Sequence, residues 1–126
     1  MKVETLGFIK ETLETAGIAY EFGGWTSDTV PSPYFVGEYE EQEPMNEDGL
    51  QNISFILSGT GRRTWLELEH AKATIEGLFS KTTGKTAILG HSGVAVFYDR
   101  ASIVPTGDAE LKRIEIYLTI KEWSVN

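Results

Sequence analysis

The chain has 126 residues, with 11 basic against 19 acidic side chains and a net charge of −8. A chain of this size buries roughly two thirds of its unfolded surface, and 40% hydrophobic with 24% charged residues is the mix of one ordinary folded domain, which excludes a disordered tail. The absence of cysteine excludes a disulfide scaffold, a thiolate zinc site and a cysteine nucleophile; no apolar run approaches the ~18 residues of a membrane span; and the acidic balance speaks against broad phosphate gripping.

From the N-terminus, Leu6, Ile9, Leu13 and Ala16 recur at helical spacing, with Glu4, Lys10, Glu11 and Glu14 on the other face. Gly17 suits the C-cap of this helix. Residues 18–22 read as a short strand, broken by Gly23 and Gly24, and 25–33 is a loop rich in Thr, Ser, Asp and Pro. Residues 34–43 form a second strand, with Tyr34 and Val36 on one face and Phe35, Gly37 and Tyr39 on the other. A turn is expected over 44–49, where Asn46, Asp48 and Gly49 tolerate left-handed geometry. In 51–58, Ile53, Phe55 and Leu57 alternate with Asn52, Ser54 and Ile56, the period of a half-buried strand.

Gly59, Thr60 and Gly61 read as a connection into the strongest helix, whose apolar stripe is Trp65, Leu68, Ala71, Ile75, Leu78 and Phe79. Residues 80–84 end it, 86–89 form a strand and 90–93 a turn. Val94, Val96 and Tyr98 begin a strand that extends toward Val104, and the chain turns over 105–108. Residues 113–123 alternate cleanly, with Ile114, Ile116, Leu118 and Ile120 on one face. The order α-β-β-β-α-β-β-β predicts a single α+β domain over 1–126, a mainly antiparallel β-sheet with two α-helices packed on one face. The other sheet face carries Tyr117, Trp123 and Phe97 and calls for a curled sheet or a partner.

Several motifs invite a chemical reading. Gly90, His91, Ser92 and Gly93 resemble a nucleophile elbow, but Val94 stands where the second glycine belongs and a strand follows instead of a helix. Gly84, Lys85 and Thr86 end like a phosphate loop, yet the helix precedes and the strand follows, the reverse of that motif. The 59–64 segment, with Arg62 and Arg63, joins a strand to a helix N-terminus, a place that attracts anions. His70 lies beside an apolar stripe and reads as a boundary residue, and no arrangement of His70 or His91 with carboxylates suggests catalysis or a metal. Arginines at a helix N-terminus oppose the helix dipole. Two readings follow: solvated arginines in a flexible connection, or arginines that meet carboxylates of a neighbour, Arg62 and Arg63 against Glu38, Glu40, Glu41 and Glu43 of the next subunit. The acidic run also suits a solvated edge strand.

The succession of elements resembles the tail terminator or tail completion proteins of long-tailed bacteriophages. The pieces that carry it are the first helix and its short strand ending near Phe22; Pro33, Tyr34 and Phe35 opening a strand that runs to Glu40; the 52–58 strand; the helix starting at Trp65; and the closing hairpin through Trp123. The resemblance covers nearly the full chain and implies an α+β structural virion protein with no catalysis, cofactor or metal. It implies a ring, six-fold in such proteins, at the head-proximal end of the tail, made in the bacterial host cytoplasm and incorporated in the phage neck. The implied partners are further copies of itself, the tail tube protein and a head-completion protein. DNA passes through such a ring without specific binding, which the net charge of −8 suits. Two other readings stay open: another head–tail neck component, such as a head-completion protein, or a small α+β ligand-binding or enzyme domain using the 59–64 segment.

Overall fold

Alternation at the end of the chain organises the whole sheet. In the computed structural model, which describes residues 1–41 and 50–124, the last strand buries Ile114, Ile116, Leu118 and Ile120 completely or nearly so. In chain order the elements are α1 (Val3–Thr15), β1 (Tyr20–Phe22), β2 (Tyr34–Glu41), β3 (Gln51–Gly61), α2 (Trp65–Leu78), β4 (Lys85–Leu89), β5 (Ser92–Ile103) and β6 (Lys112–Ser124). The six strands form one sheet in the order β1-β2-β3-β6-β5-β4, antiparallel except for the β1–β2 pair. The α+β architecture is therefore the expected one. The turn expected over 44–49 and the acidic Glu43 lie outside the described residues.

Both helices bury their apolar stripes against the same sheet face. Ile9 and Leu13 of α1, with Leu68, Ala71 and Ile75 of α2, join Ile53, Phe55, Leu57, Val96 and the β6 residues in one core. Helix α1 ends where Gly17 adopts φ 81°: the Ile18 N–H donates to the Leu13 carbonyl and the Gly17 N–H to Glu14, the paired bonds of a left-handed helix stop. Helix α2 starts with a capping box, Thr64 Oγ1 accepting from the Glu67 N–H while the Glu67 carboxylate accepts from the Thr64 N–H.

The structure corrects four expectations. Trp65 is not core: it stands 40% exposed on the first turn of α2, and the buried stripe begins one turn later at Leu68. Leu6 and Leu78 are only half-buried, whereas Phe35, Phe79, Val94 and Val96 are fully inside. The 59–61 segment is not a loop, because β3 continues through Gly61, pairing with Lys112 of β6. The connection between β4 and β5 is only Gly90 and His91, with Gly90 at φ 65° as a two-residue hairpin requires.

Aromatic rings explain why glycine stands in these strands. A Cβ on Gly59 would overlap the ring of Phe35, its directly opposed partner on β2. A Cβ on Gly37 would fall 2.7 Å from the Phe55 ring and 2.8 Å from the Tyr20 hydroxyl. Trp123 covers Gly93 in the same way. The missing side chain is thus replaced by a ring lying flat on the backbone.

The sheet face without helices is covered partly by its own side chains. Arg100 lies 4.1 Å above the Tyr117 ring and the Lys121 ammonium 5.7 Å from the Phe97 centroid. Arg100 is brought over Tyr117 by a register shift after Tyr98, whose N–H, on the β4 side but beyond the start of β4, donates to the Phe79 carbonyl at the end of α2. Leu68→Ala should cost about 2–5 kcal/mol in chemical denaturation, and Trp65→Ala much less. Equal costs would show that the helix face is misassigned.

Candidate interaction surfaces

Strand β2 is only partly enclosed. It pairs with β3 from Tyr34 to Glu41, but β1 covers its outer side only at Phe35, Val36 and Gly37. Among the described residues, no strand lies outside 38–41. Alternation places Glu38 and Glu40 on the helix-free face and Tyr39 and Glu41 on the other, where the Glu41 carboxylate pairs with the Met1 amino group. The run is exposed throughout, as the edge-strand reading expects, since charge discourages indiscriminate pairing.

Arg62 and Arg63 follow the end of β3, next to the Tyr34 end of β2. Strand rise puts that end about 13 Å from Glu38 and about 23 Å from Glu41, so one chain does not bring the arginines and the acidic run together. Arg62 has partners of its own: its Nη2 donates to the Val30 carbonyl at 2.8 Å and its backbone N–H to Ser32 Oγ at 3.0 Å. The Glu67 carboxylate accepts from the Arg63 N–H at 3.1 Å and from Ser32 Oγ at 2.9 Å. The negative charge that the helix N-terminus needs is therefore supplied by Glu67. The signal for it was legible as Thr64-x-x-Glu67, a capping-box spacing the sequence reading passed over.

The remaining motifs have structural occupations. Ser92 Oγ accepts from Lys2 Nζ at 2.7 Å, and His91 is exposed at the hairpin tip. Gly84 carries φ 66° beneath the Phe97 ring, immediately before β4. His70 is exposed on α2. No group of three or more metal-ligating side chains occurs among the described residues, and no described helix is long and apolar enough to cross a membrane.

The sequence reading missed Glu122. Its carboxylate is 3% exposed, accepts from the Lys2 N–H at 3.0 Å and from the Thr5 hydroxyl, and so caps α1, whose own N-cap Lys2 has no side-chain cap. Alternation already predicts it: Glu122 continues the buried series Ile114 to Ile120, and a charge on that face must find donors. Beside α1 runs an open, largely apolar groove of about 690 Å³, lined by Val3, Leu6, Ile18, Tyr20 and Phe22 and bordered by the loop around Thr26. Burial, and secondly the charge of Glu14, push the Tyr20 phenol well above its usual range. At the groove's rim, Glu21 accepts from the hydroxyls of Thr26 and Ser27, each at 2.7 Å, and from both their N–H groups. Those bonds, the Thr26 hydroxyl foremost, pull its carboxyl from 4.5 down to about 2.

No family model matches the chain, and no curated protein matches it in sequence. Its fold is similar to that of a chain in the solved structure described as "Virion of native gene transfer agent (GTA) particle". The two superpose with a TM-score of 0.68 at 11% identity, covering 89% of this chain and 84% of the other. At that identity the likeness is one of fold.

Two outcomes are expected. Glu122→Ala should destabilise the protein by about 1–3 kcal/mol, since it strands buried donors, and Glu122→Gln should cost less because it keeps an acceptor; equal costs would deny the capping role. The Glu21 carboxyl is depressed in the fold, so its support of the 26–27 loop is complete above pH 4.5 and is lost as pH falls toward about 2. Amide shifts of Thr26 and Ser27 should follow that titration and lose it in Glu21→Gln; a midpoint near 4.5 would refute it.

Proposed function

We propose that this protein is a structural component of a phage-like virion, a tail terminator or tail completion protein. In this reading it forms a ring, six-fold, at the head-proximal end of the tail and joins the tail to the head. The observation that carries the reading is the fold shared, over most of both chains, with a chain of a gene transfer agent virion. The order of elements that suggested the tail proteins is the order found. The protein's work is then contact: with further copies of itself, with the tail tube protein and with a head-completion protein.

The geometry supports such a role. A ring needs two different patches of one chain to meet, and this sheet has two dissimilar edges, the acidic end of β2 and β4. The net charge of −8 lets DNA pass without sticking, because carboxylates repel phosphates. The acidic run 38–43 forms one side of the subunit contact. Arg62 and Arg63 are both exposed, and Arg62 donates one guanidinium N–H to the Val30 carbonyl within its own chain. The glycine segment that an anion-binding enzyme would use is built into β3 instead.

The test is electron microscopy of the purified protein mixed with assembled tail tubes of its own phage. Rings seated on one end of each tube are the expected result. Binding to portal-bearing heads in the absence of tails would overturn the tail assignment and favour a head-completion role, and no binding to either would overturn the virion reading.

A further inference from the structure

The two sheet edges match in direction as well as in charge. Among the described residues, strand β4 pairs only with β5, through the two-residue hairpin at Gly90 and His91. In such a hairpin the closing pair, Leu89 and Ser92, exchanges both backbone bonds, and bonded and non-bonded pairs alternate from there. Ala87 and Lys85 therefore bond to β5, while the N–H and C=O of Thr86 and Ile88 point outward. No described backbone group meets them. On β2 the Phe35 N–H donates outward to Ala19, and the Gly37 carbonyl accepts from Gly23 on the same side. By the same alternation Tyr39 and Glu41 present their backbone groups outward, past the end of β1.

Direction decides how these edges can meet. Strand β3 is antiparallel to β2, β6 to β3, β5 to β6 and β4 to β5, so β4 runs the same way as β2. A second copy placed beside the first in the same orientation would thus offer its β4 parallel to the open end of β2. Parallel pairing also keeps the faces aligned. The side chains of Thr86 and Ile88 lie on the helix-free face with Glu38 and Glu40, and those of Lys85 and Ala87 lie on the helix face with Tyr39 and Glu41. Antiparallel pairing of the same outward groups would set the helix face of one copy against the bare face of the next.

Charge and apolar exposure agree. Although the chain carries 19 acidic residues, none falls between Glu76 and Asp99, the span that contains β4. Its charged groups are Lys81 and Lys85, with His91 at the hairpin. The open end of β2 bears Glu38, Glu40 and Glu41. Tyr39 is 40% exposed on β2, so pairing would also cover its ring with the apolar stem of Lys85. An uncovered strand rich in apolar and β-branched residues invites another strand.

We propose that copies of this protein associate head-to-tail through a parallel strand pair, β4 of one copy against 38–41 of β2 in the next, so that the sheet continues from subunit to subunit. Because β1 already occupies the positions beside 35–37, the incoming strand starts at Tyr39, with Lys85 beside Tyr39 and Thr86 beside Glu40. Lys85 then reaches Glu41 diagonally. This deepens the ring reading and rests on it.

The chain has no cysteine, so thiol cross-linking is clean. The Thr86→Cys, Glu40→Cys double variant, held at millimolar concentration with a short bis-thiol cross-linker, should give a ladder of covalent multimers. Mixed single variants should stop at the dimer. Adding Thr86→Pro in place of Thr86→Cys and moving the thiol to Ile88 should abolish the ladder, since proline removes an outward N–H that the chain's own ladder does not use. Lys85→Glu should weaken the ladder of the double variant with no change in fold, while Arg62→Glu with Arg63→Glu should leave it intact. A ladder from Arg63→Cys with Glu40→Cys but none from the Thr86 pair would overturn the strand pairing in favour of the arginine contact. Absence of any ladder while rings form on tail tubes would overturn it and leave the ring reading standing; absence of rings as well would remove both.

Discussion

Everything in this molecule hangs on a single strand with two partners. Strand β6 pairs with β3 along one side from Lys112 to Glu122, and with β5 along the other from Ile114 to Ser124. Its alternation decides which face of both neighbours turns inward, because directly opposed residues share a face. A shift by one residue would move Ile114, Ile116, Leu118 and Ile120 to the solvent side and take the helices' docking surface with them. The same alternation carries Glu122 inward, to the first turn of α1. One strand thus fixes the register of the sheet and the position of a helix that lies at the other end of the sequence.

The parts of the fold that were legible are those whose signal is local. Strand alternation in 51–58 and 113–123, the centres of the helical stripes and the glycine at position 17 depend on neighbours in sequence, and they appear where periodicity puts them. What was not legible depends on partners far along the chain. Gly59 and Gly61 look like a loop because glycine in a strand is costly. Phe35, brought opposite Gly59 by the β2–β3 register, and Glu67 and Leu68 beside Gly61 show why the strand keeps glycine there. Trp65 fits the stripe by period, but the first turn of α2 overhangs the edge of the core.

The candidate surfaces divide along the same line. The acidic run was visible as charge, and the structure adds that, among the described residues, no strand covers the outer side of 38–41. The arginine pair was visible too, and the structure adds that Glu67, in the first turn of α2, accepts from the backbone N–H groups of Arg63 and Thr64. The β4 edge gave no signal of its own in the sequence. It stands out only once the strand order leaves it last in the sheet.

The position of β6 also governs the route by which the chain reaches its fold. The β4–β5 hairpin, with its two-residue turn, is local, and so is the cap of α2, so both can form while the rest of the chain is still being made. The two halves of the sheet cannot join until β6 is synthesised, because β3 and β5 have no bond to each other without it. Until then Ile53, Phe55 and Leu57 on one side, and Val94 and Val96 on the other, have no strand between them to complete the core. Helix α1 is made first and capped last, its first turn waiting for a carboxylate that the ribosome supplies some 117 residues later.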